Sequence, residues 1–491
     1  MTSRILGVFA LSTALLFPIW LGLTTFSSSA DAEETHTLPH PEIWWKGSVE
    51  DALKESKATK RPLFIYWGAQ WCPPCNELKA EIFSRKEFPA LIAAFIPLAI
   101  DGDSDDAQKW GERLGAVGYP TMLVVAPGDK VKMRIVGSLS WNSFLIEIKK
   151  ADNKKQPSRK TDDEDTATAL GKLNRTRTAS VTEGARLATI VLVGAPDAPA
   201  KLADKIRQNW SGFFSLISAT PEGRQQGELL LLEGRQTLSW IVKSDTSPEL
   251  KKERVMAWSA ALDNLEKDAG ATLTSKVKIT AARCELLHVD ALSGFDPVML
   301  RGTVDDLVAK VLASGDEYLI KSLLPSLADA YASLGDQKAA LDLLQNNIAK
   351  TDTPWYFYSH MAWLVADGGD KNGAVTWSEK AAQAATGNST RLQVLASYMK
   401  TVSESAVSDK GARIASALRE FLNLAASSPD AFYNRNKRSL ENASALAKDI
   451  IKKDGALRAD IKSLKTKCPG LTAKPSAKAC AKYFDRLTRG R

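Results

Sequence analysis

Two cysteines, Cys72 and Cys75, stand one helical turn apart in WGAQWCPPCNELKAEIF (Trp67 to Phe83), directly after an apolar run. A pair so placed can form and break a disulfide, carrying two electrons, or supply half of a metal site, or staple a turn. The redox option has a physical basis. Cys72 falls at a helix N-terminus, where free N–H groups and the helix dipole stabilise a thiolate. A cysteine with an ordinary pKa near 8.5 is only about 3% thiolate at pH 7, and lowering that pKa to about 7 raises the fraction to roughly half. Cys75, one turn on and facing inward, is placed to resolve a mixed disulfide formed at Cys72. Zinc would need two further ligands. Cys468 and Cys480 do not make a second close pair, and His36 and His40 read as solvated residues of a polar stretch. Haem attachment needs a histidine after the second cysteine, where Asn76 stands. No metal and no bound cofactor is expected, because the dithiol itself carries the electrons.

The elements around the pair are those needed to hold it. GSVEDALKESK reads as a helix with Ser48 as N-cap and Asp51 in the capping-box position. PLFIYW (Pro62 to Trp67) is a short apolar strand suited to burial on both faces. Leu78, Ile82 and Phe83 recur at helical spacing after the cysteines, AFIPLAID ends a second strand at Asp101, and Ser104 or Asp105 is expected to cap the next helix. YPTMLVVAPGDKVKMRIVG holds a hairpin about a Pro-Gly-Asp turn, and SWNSFLIEIKK closes with a helix that Ser140 can cap. A strand–helix–strand unit followed by a hairpin gives a mixed sheet covered by helices, an α/β domain over residues 41–151.

GAQWCPPC, with VGYPT downstream and this order of elements, resembles the thioredoxin superfamily, closest to exported bacterial domains such as the reducing domain of membrane thiol-electron transporters. The resemblance covers about 110 residues. It implies a thiol-disulfide oxidoreductase in which Cys72 and Cys75 are catalytic and Trp71 covers the pair. It also implies that the Tyr119–Pro120 bond is cis and that the Tyr119 backbone pairs with a substrate peptide as an added strand. The expected partners are cysteine-containing proteins as substrates and a membrane thiol-electron donor. Two positions depart from the family pattern. Tyr66 stands where thioredoxin has a buried aspartate that serves the second cysteine, and Asn76 stands where a basic residue is common.

Outside that domain, MTSRILGVFALSTALLFPIWLGLTTFSSSADA has Arg4, an apolar stretch and a small-x-small close at Ala30 to Ala32. Residues 1–32 therefore read as a signal peptide or an N-terminal anchor, either of which places the remainder in the periplasm. An oxidising compartment fits disulfide use by both cysteine pairs. Residues 152–166 form a charged linker. Beyond them the pattern is α-helical, as a 167–300 region and a 301–491 region in which a 34-residue echo emerges. Leu327-Ala328 returns as Met361-Ala362 and Leu395-Ala396, and Gly335-Asp336 as Gly369-Asp370. This resembles tetratricopeptide repeats, the third copy degenerate with Ser403 and Ser408 at its key positions, and offers a surface for a protein partner. The aromatic cluster WYFYSHMAW reads as repeat core, part of which could line a peptide groove.

Cys468 and Cys480 flank a Pro/Gly/Lys loop and are expected to form a structural disulfide, with Cys284 a buried free thiol on an apolar helix face. At 491 residues, 44% hydrophobic and 25% charged, the chain can bury sizeable cores. A net charge of +8 with interleaved signs and no basic stripe among aromatics argues against nucleic-acid binding. The competing function is a binding or scaffold protein in which the repeats act and the α/β domain holds a static disulfide.

Overall fold

The computed structural model describes residues 38–116, 118–152, 165–175, 180–245, 247–268, 272–289, 295–471 and 474–489. The expected export segment and most of the charged linker lie outside them, as does His36. Among the described residues no helix is long and apolar enough to cross a membrane.

The α/β part runs α1 (Val49–Thr59), β1 (Leu63–Gly68), α2 (Pro73–Leu78), α3 (Phe88–Ile92), β2 (Ile96–Asp101), α4 (Ala107–Leu114), β3 (Thr121–Ala126), β4 (Lys130–Val136) and α5 (Trp141–Asp152). The sheet order is β2-β1-β3-β4, with β1 parallel to β2 and antiparallel to β3. Every residue of β1 is buried because it is central and both faces are covered. Its side chains divide by parity. Phe64 and Tyr66 join Phe83, Phe88 and Phe144 on one face, and Leu63, Ile65 and Trp67 join Leu98, Trp110 and Leu123 on the other. Ser48 caps α1 as its sequence predicts, accepting from Asp51 N–H at 3.1 Å and donating to its carboxylate at 2.7 Å.

The cap of α4 differs from expectation. The N-cap is Asp106 in a left-handed conformation, φ 61°, without a side-chain cap bond of its own. The carboxylate of Asp430, over 300 residues away, instead accepts from the N–H groups of Gln108 at 2.5 Å and Lys109 at 2.9 Å. A helix end needs some acceptor for its first N–H groups, and nothing obliges that acceptor to be local.

From Thr166 onward every regular element among the described residues is a helix. Three apolar clusters follow one another along this region, centred on Trp210 and Trp258, on Leu323 to Leu327, and on Leu418 to Phe421. Gly335 and Gly369 both turn the chain at positive φ, 80° and 94°, between antiparallel helices. The aspartate after each then caps the next helix, Asp336 accepting from Ala339 N–H and Asp370 from Gly373 N–H. Ala340 and Ala374 are completely buried at the equivalent helix contacts. Cys468 and Cys480 are joined by a disulfide with a Cα–Cα distance of 5.6 Å. Cys480 lies on a helix, Lys474–Arg489, so the intervening loop is shorter than its composition predicts. Cys284 is a buried free thiol whose pKa burial pushes up to about 12.

Candidate active site

Cys72 is the N-cap of α2, and the Cys75 N–H donates to its Sγ at 3.3 Å. Two prolines begin this helix at no cost in hydrogen bonds, since N–H groups in a first turn have no intrahelical acceptor. After Leu78 the helix widens into a π turn, Lys79–Phe83, closed by Ser84 N–H on the Lys79 carbonyl at 3.0 Å. Both cysteines are thiols, and both are buried, 3% and 0% exposed. An attacking thiol needs access to its substrate, and Cys72 has almost none here. The helical half seals it.

Burial pushes the Cys72 thiol well above the ordinary value, and its hydrogen bond to Cys75 adds to that rise. Burial acts on Cys75 in the same sense, but hydrogen bonding with Cys72 and the Ala69 backbone outweighs it and draws Cys75 down. Lys79, one turn beyond Cys75, is also buried, and desolvation lowers its pKa against the pull of Cys75, Asp101 and Cys72. Its Nζ lies 3.3 Å from Asn76 Oδ1 and 5.4 Å from the Tyr318 ring centroid. The Tyr66 hydroxyl, at the position that departs from the family pattern, has no hydrogen-bond partner among the described residues and is held beside Gly68.

The Tyr119–Pro120 peptide is cis. Tyr119 meets Trp67 at 4.3 Å and Trp71 at 5.7 Å between ring centroids, and Gln108 Nε2 donates to its hydroxyl at 2.7 Å. Trp71 and Tyr119 thus pack in one cluster with the cysteines. That face is already occupied. Trp71 packs edge-on to Trp355 at 5.0 Å and stacks on Tyr356 at 5.9 Å, and its indole N–H donates to Thr390 Oγ1 at 2.9 Å. The Arg435 guanidinium lies 4.5 Å over the Tyr119 ring.

Two carboxylates, Asp430 buried and Asp103 half-buried, fasten this docking by exchanging caps. Asp430 caps α4, as described above. Asp103, after β2, accepts from Thr390 N–H at 2.7 Å and Thr390 Oγ1 at 2.6 Å, at the start of the Asn388–Glu404 helix. The N-cap residue there is Gly387, with φ 77° and no side chain to offer. A Cβ at that position would lie 2.6 Å from the Asp103 carboxyl carbon. Burial raises both Asp103 and Asp430 to about 6. On the opposite flank the half-buried Lys278 Nζ pairs with the buried Glu77 of α2 at 2.6 Å, and Ser138 Oγ donates to the same carboxylate at 2.5 Å.

The sequence of this segment has counterparts in known proteins. Residues 44–127 match the family model described as thioredoxin-like. This segment is a thioredoxin-like domain. The domain is similar to the thiol:disulfide interchange protein DsbD of Ralstonia nicotianae, 28% identical over 106 residues, which are 21% of this chain and 17% of that protein. It is also similar to thiol:disulfide interchange protein DsbD 1 of Pseudomonas aeruginosa, 24% identical over 107 residues, 21% of this chain and 18% of the relative. The chain thus spans less than a fifth of the length of these relatives. The thioredoxin-like domain is followed by a mostly helical region.

Sequence reasoning missed Lys79, Thr390, Arg435 and the two capping aspartates. Lys79 carried a signal, since a residue four after Cys75 shares its helix face. Trp355 and Tyr356 were visible as part of an aromatic cluster, though without an address. The others had no local signal.

Proposed function

We propose that this protein is an exported thiol-disulfide oxidoreductase acting on protein cysteines in the periplasm. The observation that carries the reading is a pair of thiols joined by the Cys75 N–H to Cys72 Sγ bond at the head of a helix, in one cluster with Trp71 and Tyr119. Cys72 attacks a substrate disulfide, forming a mixed disulfide and releasing one substrate thiol. Cys75 then attacks Cys72 Sγ, releasing the second substrate thiol and leaving a Cys72–Cys75 disulfide. Two electrons and two protons pass to the substrate, and the reverse sequence oxidises a dithiol. Trp71 and the Tyr119–Pro120 edge hold the peptide, and a membrane thiol-electron donor re-reduces the pair. The printed names of the relatives, thiol:disulfide interchange proteins, support this class of chemistry.

The experiment is trapping. Cys75→Ser should retain substrates as mixed disulfides on Cys72, and Cys72→Ser should not, read as high-mass adducts on non-reducing gels after acid quench. Equal trapping by both variants would reverse or dissolve the assignment of roles. The burial of both thiols under the helical half favours a second reading, a binding or scaffold protein whose repeats engage a protein partner. Adducts in neither variant, with wild-type thiols that still oxidise, would select it.

A further inference from the structure

A groove of about 440 Å³ starts at Trp71 on the redox face and runs along the helical half past Trp355 and Trp363. A second depression of about 650 Å³ continues it, sharing Gln393, Lys400, Glu404 and Arg435. The combined walls carry four cations, Lys371, Lys400, Arg435 and Arg438, against one carboxylate, Glu404. Glu404 is exposed and stands 3.8 Å from Lys400. The Arg435 guanidinium donates to a neutral amide oxygen, Gln393 Oε1, at 2.9 and 3.2 Å, and rests on neutral rings. On the groove wall Trp363 is 49% exposed, a large apolar side chain left in solvent.

We propose that this groove binds an acidic, extended segment of the cysteine-bearing client polypeptide, with an apolar side chain of that segment seated on Trp363. The inference rests on the reading that the dithiol acts on protein cysteines, and names which clients it selects. Net positive walls favour carboxylates and speed their encounter, and an arginine with uncharged partners retains its capacity for a charge-assisted bond. Arg435 belongs to both the groove and the Tyr119 edge, so a client bound along the groove would bring an acidic residue next to the substrate cysteine.

The probe is a labelled ten-residue peptide of glutamates with one tryptophan and no cysteine, compared with its lysine counterpart by fluorescence anisotropy on full-length Cys72→Ser/Cys75→Ser protein. The acidic peptide should bind at least about tenfold more tightly at low salt, with the ratio collapsing near 0.5 M salt as screening shortens. Adding Lys371→Glu and Lys400→Glu should reverse the preference, a gain that a misfolded protein cannot show. Equal affinity for the two peptides, or a preference unmoved by the reversal, overturns the proposal. Displacement by inorganic tripolyphosphate with no contribution from the peptide tryptophan also overturns it, in favour of a general anion groove. Wild-type protein is assayed in parallel on 2-hydroxyethyl disulfide, which is neutral and small. Reduction of that disulfide without acidic selectivity removes the groove and leaves the redox reading. Acidic selectivity without any reduction removes the redox reading and leaves the groove as a polypeptide site.

Discussion

Two cysteine pairs in this protein are equally buried and differ in everything around them. Cys468 and Cys480 are bridged within an apolar cluster that includes Leu464, Leu471 and Phe484. Cys72 and Cys75 are free thiols beside Lys79, Tyr66 and the Tyr119–Pro120 edge, beneath residues contributed by a distant helical region. Burial alone therefore does not separate a staple from a redox pair. What separates them is whether nearby groups can take up a changing charge, and whether the cover over the pair is continuous core or a docked surface that polar contacts hold in place.

The largest effect should come from breaking each pair in turn. Cys72→Ser should slow reduction of 2-hydroxyethyl disulfide by the pre-reduced protein by at least about a thousandfold, because exchange requires an attacking thiolate with a resolving partner. Cys468→Ser should leave that rate within about twofold, since that pair transfers no electrons in this reading. Comparable losses in both variants would erase the distinction. Stability should show the opposite order. Opening the 12-residue separation between Cys468 and Cys480 by a double serine substitution should cost about 3 kcal/mol in denaturant unfolding, by the chain-entropy model. A cost near zero would show that the bridge is incidental.

The docked surface itself can be tested through pH. Burial, reinforced by the Asp101 charge, raises Asp103 from 3.8 to about 6 against the hydrogen bonds from Thr390 and Ser389. Its folded value lies above its unfolded one, so this contribution to stability is complete below about pH 4 and is lost as pH rises through about 6. Wild-type stability relative to Asp103→Asn should accordingly fall by about 2 kcal/mol between pH 4 and pH 7, measured by unfolding at each pH. A pH-independent difference would refute the buried-carboxylate account. The smallest effect should follow Thr390→Val, which removes the acceptor for the Trp71 indole and a donor to Asp103. It should cost about 1 kcal/mol and raise the rate of Cys72 alkylation by iodoacetamide several-fold. An unchanged alkylation rate would mean that the cover is held elsewhere.

The order of strands and helices in the α/β part was legible because its strands are short and apolar, its turns carry Pro-Gly-Asp, and Ser48 announces a helix start within three residues of its partner. Periodicity and caps are local, and each acts over a few residues. The two cysteines were legible for the same reason, as was a central strand buried on both faces. The cap of α4 was not, because Asp430 supplies it from more than 300 residues away, and no spacing rule reaches that far. The sequence placed the thiolate on Cys72 from the helix dipole, which is a local effect. Tertiary structure adds an opposing effect by burying Cys72, which raises its thiol, since desolvation depends on what arrives from the rest of the chain. The chemistry proposed for this protein is thus written in residues 72 and 75. Access to it is set by a helical region whose docking depends on exchanged caps, stacked rings and carboxylates drawn out of water.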